Sequence, residues 1–288
     1  MESAEHTARR MWTLFEPVHA VTYFAAEARA AFEDAGLRGF WRGYFAGRSA
    51  PLGRVGAAPV TAAFYGFAPP MVSRAVPAVW TMTSPAVALQ VREAGAVSAL
   101  RRILADLGDT VPAAANLLAR AVAGLDCAGR VLASANAALP VPQEPLAKLW
   151  HAATVLREHR GDGHFAALLT HDIDGCEALA LRAGLDVPRE QLQPLRGWTD
   201  EAWDDAADRL AARGLLDADA AATAAGSSCY SRVEQATDLA AARPWRDGTF
   251  AAEAAAALKP IAVACAAELP FPNPVGVPVP ASSDGAGR

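Results

Sequence analysis

Phe40, Trp41, Tyr44 and Phe45 recur at i, i+1, i+4 and i+5, the spacing of one apolar face on an α-helix. Leu149, Ala153 and Leu156 form a second such stripe. Proline and glycine punctuate the periodic segments and set the predicted boundaries. Pro17 is placed at a first helical turn, with a helix over 18–35 closed by Gly36. A loop carrying Gly47, Pro51, Gly53 and Gly56 separates the aromatic helix from another aromatic segment at 64–67. Pro85 opens a helix to about 107, and the next runs over 111–125. Pro140, Pro142 and Pro145 cannot all lie inside one helix, so a domain boundary is expected there.

Beyond that boundary the pattern predicts a helix over 145–160, stopped by Gly161-Asp162-Gly163, and a short helix over 164–170. Further helices are predicted at 174–183, 188–195, 200–213, 227–242 and 249–268. Five prolines and three glycines after Leu269 give the expectation of an extended tail whose last residues are disordered. The fold class expected is all-α with a reduced wing. It divides into an aromatic-rich helical domain over 1–140, a winged-helix-like domain over 141–270, and a tail over 271–288.

Composition reinforces the helical reading. The chain has 288 residues, enough for a sizeable core, and its 52% hydrophobic content is dominated by alanine, the best helix former. The four cysteines (Cys127, Cys176, Cys229 and Cys265) form no C-x-x-C pair, so small buried thiols are expected rather than a zinc ribbon or disulfides. A charged N-terminus and no run of eighteen apolar residues lead to the expectation of a cytoplasmic chain with no membrane partner. The net charge of −5 opposes nucleic acid as a default partner.

Residues 174–226 carry the pieces of a winged helix-turn-helix. Asp174 to Leu181 has the pattern of a first motif helix, and Thr199-Asp200-Glu201-Ala202-Trp203 opens a second with Thr199 as N-cap. Arg213-Gly214-Leu215-Leu216 leads toward a wing, and Thr223-Ala224-Ala225-Gly226 leaves it. This segment resembles the MarR-like winged-helix proteins. The further segments Glu16-Pro17-Val18-His19, 157–164, Arg196-Gly197-Trp198 and 269–274 resemble an actinobacterial family labelled only as helix-turn-helix proteins. The resemblance implies a fold but not a reaction.

Local charge turns that fold away from DNA. A recognition helix facing a polyanion needs Arg, Lys, Asn or Gln. Residues 199–213 instead carry Asp200, Glu201, Asp204, Asp205 and Asp208 against Arg209 and Arg213. The stretch Asp217-Ala218-Asp219-Ala220-Ala221-Ala222 is acidic and short for a hairpin.

Candidate chemistry gathers elsewhere. His151 and Glu158 lie about 20° apart around one helix. Arg157, Glu158, His159, Arg160, Asp162 and His164 surround one corner, with Asp162 expected to cap the helix holding His164. Two readings stay open: ion pairs locking the corner, or two imidazoles and a carboxylate that hold a metal or polarise a ligand. His19 is expected in a first helical turn, which disfavours imidazolium, with Tyr23 one turn on and free to donate to a substrate oxygen. More than half of the 21 aromatics fall in the first 80 residues. That density suits a flat apolar pocket, and Arg42 and Arg48 suit an acidic guest. Nucleotide-binding glycine motifs, a P-loop and a G-x-S-x-G elbow are absent from the sequence.

These readings give two functional classes. The first is a small-molecule-binding protein, with enzyme activity left open, on a winged-helix scaffold that has lost DNA binding. His19, Tyr23, Glu158, His159 and His164 are its candidate catalytic residues. Trp41, Tyr44, Arg48, Arg157, Arg160 and Asp162 are its candidate ligand contacts, and His19, His159 and His164 its candidate metal ligands. A bound metal or a planar organic cofactor, and a homodimer, are compatible with it. The alternative is a MarR-like, ligand-responsive regulator that binds DNA.

Overall fold

The computed structural model describes residues 3–270, so the tail expected over 271–288 lies outside the described residues. Fifteen α-helices run through the described chain, and no strand occurs among these residues. The N-terminal part comprises α1 (Ala4–Phe24), α2 (Ala26–Asp34), α3 (Phe40–Ser49), α4 (Ala57–Phe64), α5 (Pro69–Ala75), α6 (Val79–Met82), α7 (Pro85–Ile103), α8 (Val111–Ala123) and α9 (Val131–Ala137). A long α10 (Pro145–Thr170) leads into α11 (Gly175–Ala183), α12 (Arg189–Arg196), α13 (Asp200–Ala212), α14 (Ala224–Ala241) and α15 (Gly248–Ala266).

Most of the long helices begin at a side-chain cap that the sequence supplies. Ser84 and Glu144 each cap a helix whose first residue is proline, accepting from the amides of Val87 and Ala147. Asp174 and Glu177 form a reciprocal capping box on α11. Thr199, Thr223 and Asp247 cap α13, α14 and α15.

Three apolar clusters organise the molecule. The largest joins α1, α7, α8, the first half of α10 and α15, with Met11, Leu118, Trp150 and Leu258 fully buried. A second lies among α3 to α6 around Phe45, Phe64 and Trp80. The third packs the end of α10 against α11, α13 and α14 around Ile173, Trp203 and Leu210. Helix α10 touches all of these regions and is buried on nearly every side from Leu149 to Arg160. A helix enclosed all round is normally apolar, because each buried polar group needs a partner. This one carries Thr154, Arg157, Glu158, His159 and Arg160 through the centre, and their partners build the site.

Helix α15 is long and apolar enough by composition to cross a membrane, but half of it is buried inside the protein. Phe250, Leu258, Ile261 and Cys265 pack into the largest core, which accounts for its hydropathy.

Two predicted boundaries are corrected. Pro17 does not start a helix but lies inside α1, where an interior proline costs about 3 kcal/mol. Residues Phe15 to Tyr23 are all buried, and that packing offsets the lost backbone bond. His19 is therefore in the later turns of the helix rather than at its positive end. The break expected at Gly161-Asp162-Gly163 is also absent, and α10 runs straight through it. Gly163 serves a close approach instead: a Cβ there would lie 2.6 Å from Arg130 Nη1 and 3.2 Å from Ala240 Cβ. Arg130 donates to the backbone oxygens of His159 and Ala240, tying α10 to α14 across that gap. Asp162 does not cap its own helix. Its carboxylate accepts the Ala133 amide at 2.9 Å, at the start of α9.

The wing is reduced to a single antiparallel bridge between Leu216 and Ala222. The tight turn between them is closed by the Asp217 amide bonding to the Ala221 oxygen at 2.9 Å.

Candidate ligand-binding cleft

A cleft of about 570 Å³ opens between the N-terminal helices and the helix-turn-helix part. That falls within the roughly 300–1,000 Å³ of small-molecule sites. Helix α1 contributes Arg9, Trp12 and Glu16, which share one face at i, i+3 and i+7. Helix α3 supplies Tyr44 and Arg48, α10 supplies Arg157, Arg160 and His164, and α14 supplies Tyr230, Glu234 and Thr237. Phe64 to Phe67, Phe165, Arg182 and Arg196 complete much of the wall.

Glu158 ties the wall together from behind. Its Oε1 accepts Arg48 Nε at 3.0 Å, and its Oε2 accepts Arg48 Nη2 at 3.1 Å and Arg157 Nη1 at 2.9 Å. Burial would raise this carboxyl, but the two guanidinium groups hold it well below the usual carboxylate range. Arg157 also reaches Glu16, whose other oxygen accepts Trp12 Nε1 at 3.1 Å. Burial prevails at Glu16 and pushes its carboxyl upward. Arg48 is held firmly protonated: burial opposes its charge, but Glu158 more than compensates.

A second ionic cluster forms where the same two helices, α1 and α10, meet α14. Asp238 accepts Arg9 Nε at 2.9 Å and Arg160 Nη1 at 2.6 Å, while Glu234 pairs with Arg9 and lies 3.6 Å from Arg160. Arg9 and Arg160 both lie over the Trp12 ring, Arg48 lies over Phe64 and Arg196 over Phe67. The surface offered to a guest therefore combines aromatic planes with guanidinium edges. His164 is in contact with Thr237 at 3.0 Å and has Glu234 at 3.7 Å. Burial lowers its pKa from the ordinary imidazole value.

His19 and Tyr23 occupy a separate, smaller pocket of about 40 Å³. Tyr44, Arg48 and Glu158 stand between the two spaces and line the smaller one, Tyr44 and Arg48 lining both. His19 Nε2 lies 3.0 Å from the Tyr23 hydroxyl and Nδ1 lies 2.9 Å from Thr154 Oγ1. Thr154 spends its own proton on the Trp150 oxygen at 2.8 Å. His19 Nδ1 must then be the donor to Thr154, which leaves Nε2 to accept the Tyr23 proton. The Tyr23 hydroxyl, expected to donate to a substrate, is committed to His19 instead. His19 is neutral, as expected, but through burial and the nearby Arg157 rather than through a helix end. Thr22 Oγ1 and Arg92 Nε also border this pocket without a hydrogen-bond partner.

The fold thus brings Tyr44, Arg48, Arg157, Arg160 and His164 to one cleft and places Glu158 directly behind them. It does not bring in the other five candidates: His19 and Tyr23 stay in the smaller pocket, and His159, Asp162 and Trp41 line neither space. His159 turns toward Arg130 and Asp126, where burial and Arg130 lower its pKa to about 4. Asp162 faces α9, and burial raises it to about 6. Trp41 packs edge-on against Phe40 and Phe67 in the second core. His19, His159 and His164 have separate surroundings, and no group of three His, Cys, Asp or Glu among the described residues is arranged to hold a metal ion.

The cleft is also lined by residues that the sequence did not assign to a site, Arg9, Trp12, Arg182, Arg196, Tyr230, Glu234 and Thr237, with Asp238 paired to Arg9 and Arg160. A polar stripe at Arg9, Trp12 and Glu16 was available as a signal, but only for a helix continuing through Pro17. The α14 residues gave none, since Glu234, Thr237 and Asp238 read as an ordinary solvated face.

On the helix-turn-helix side, Asp200, Glu201, Asp204, Asp205 and Asp208 of α13 are all exposed. Arg209 is bound to Asp174 and Glu177, Arg189 to Asp200 and Asp204, and Arg213 to the backbone oxygens of His171 and Asp172. The few bases near α13 are thus engaged within the protein.

No curated protein and no solved structure matches the chain. The sequence profile of a helix-turn-helix family matches residues 8–272, spanning the cleft, the reduced wing and nearly all of the described helices, and the chain belongs to that family.

Proposed function

We propose that this protein binds a small, planar, acidic organic molecule in the cleft between α1, α3, α10 and α14, and that its helix-turn-helix part serves as one wall of that cleft rather than as a reader of DNA. The observation that carries the reading is the cleft's lining of arginines laid over aromatic rings. Guanidinium groups suit a carboxylate by charge and by their forked geometry, and ring faces suit a flat apolar body. Six arginines line the wall against Glu16, Asp186 and Glu234, and with Glu158 and Asp238 paired to them from behind the balance is one positive charge, in a chain that is acidic as a whole.

Membership in a helix-turn-helix family favours a second reading, a regulator whose DNA affinity responds to the same ligand, MarR-like by the resemblance of residues 174–226. The exposed acids of α13 weigh against it, because each opposes a phosphate where a DNA reader places a base. Two titrations separate the readings. The first proposal expects arenecarboxylates to raise the melting temperature in a saturable manner, and no salt-sensitive binding to duplex DNA at low ionic strength. Micromolar DNA binding that weakens steeply with salt would overturn the loss of DNA reading. Absence of any saturable shift across a panel of planar acids would overturn the ligand.

A further inference from the structure

The cleft reading leaves open which atom meets the end of the guest remote from its acid group, and hydrogen-bond bookkeeping around His164 supplies it. Thr237 is fully enclosed, and its hydroxyl donates to the Val233 oxygen one turn earlier at 2.7 Å. That oxygen can then only accept from the imidazole, so His164 Nδ1, 3.0 Å away, carries the ring proton. Glu234 Oε1 at 3.7 Å from the same nitrogen reinforces that tautomer electrostatically. Nε2 is left with a bare lone pair. No hydrogen bond within the described residues uses it, and the ring is about one-third exposed on the cleft wall.

His19 gives the internal comparison. It has the same arrangement, with Nδ1 on Thr154 and Thr154 bonded back to Trp150, and there Nε2 is consumed by Tyr23. The threonine lock occurs twice, and only at His164 does it present the acceptor to the cleft. Arg160 sits one helical turn before His164 on the same face of α10 and is held by Asp238 at 2.6 Å.

We infer that His164 Nε2 is the proton-accepting atom of the cleft, and that the guest is a planar acid which also carries a hydroxyl or amino group directed at it. This rests on the ligand reading above. Thr237 is a positioning residue that acts through the imidazole.

Nitrogen-15 NMR of the full chain without ligand tests the lock first. His164 should show a protonated Nδ1 and an unprotonated Nε2; a protonated Nε2 overturns the inference and leaves the cleft reading standing. Thr237→Val should shift that ring toward the Nε2-protonated form, and Thr237→Ser should keep the wild-type pattern. Calorimetry with benzoate and with 3- and 4-hydroxybenzoate tests the guest. At least one hydroxylated acid should bind about tenfold more tightly than benzoate, the value of one added hydrogen bond. That preference should vanish in His164→Phe and in Thr237→Val and survive in Thr237→Ser. Benzoate and both hydroxybenzoates binding alike overturns the inference alone, whereas no binding of any of the three removes it together with the arenecarboxylate reading.

Discussion

Replacing Glu158 with glutamine probes the central carboxylate of the cleft wall without changing its shape. In the native protein Glu158 Oε2 accepts from both Arg48 and Arg157, and Oε1 accepts from Arg48 Nε. A glutamine oxygen keeps the first two bonds only by turning its NH2 group against Arg48 Nε, donor to donor. The opposite rotamer faces two donors with one. Either way two buried guanidinium charges lose their anion, and Arg48 is 4% exposed. Removing one partner of a buried ion pair costs about 3–5 kcal/mol, because the remaining charge stays desolvated. Arg157 retains Glu16, which points to the lower half of that range. Urea unfolding followed by circular dichroism measures the loss directly. Arg48→Met removes one orphaned charge, so the double variant should lose less than the sum of the single variants by at least about 1 kcal/mol. A Glu158→Gln loss below about 1 kcal/mol, or strict additivity with Arg48→Met, would refute this account of the network.

Acid should unfold the protein through its buried histidines. Burial lowers His151 and His159 from 6.5 to about 4, and it also holds His19 well below the ordinary imidazole value. A group with a depressed folded pKa contributes stability that is present above the unfolded value and lost as pH falls toward the folded one. His151 and His159 should each cost up to about 3 kcal/mol between pH 6.5 and 4. Asp162, raised from 3.8 to about 6, works in the opposite direction and offsets roughly one histidine. The urea midpoint should therefore drop clearly between pH 7 and pH 4.5, and an unchanged midpoint would contradict the burial of these rings. The two glycines of α10 should respond differently to alanine. Gly161→Ala meets nothing closer than 3.9 Å and should stabilise by about 0.5–1 kcal/mol. Gly163→Ala displaces Arg130 from its two backbone acceptors and should not gain stability, as parallel thermal melts would establish.

The amino-acid sequence determined the helical class, because alanine content, caps and proline-opened helices are local signals that need no partner. Thr199 marks its helix in the sequence and in the structure alike. It also placed the charged corner at 157–164, since Arg157, Arg160 and His164 line the cleft and Glu158 lines its smaller neighbour. What it did not reveal is the use of each group. Gly163 reads as a helix stop, yet it is the gap that admits Arg130, a residue 33 positions away in the chain. Pro17 reads as a helix start, yet packing of the residues around it outweighs its local preference. Spacing alone put His159 and Asp162 beside His164, whereas the rotation of an unbroken α10 turns them toward the opposite side. The cleft's other half comes from α1 and α14, more than two hundred residues apart, joined at Arg9–Asp238. Such pairings depend on which helix faces meet across the core, and short-range pattern carries no information about that. The acid-rich α13 was legible at once, because exposed charge is a property of the residues themselves, whereas the place of Arg182 and Arg196 on the cleft lining arose only when the tertiary fold set α11 and α12 near α1.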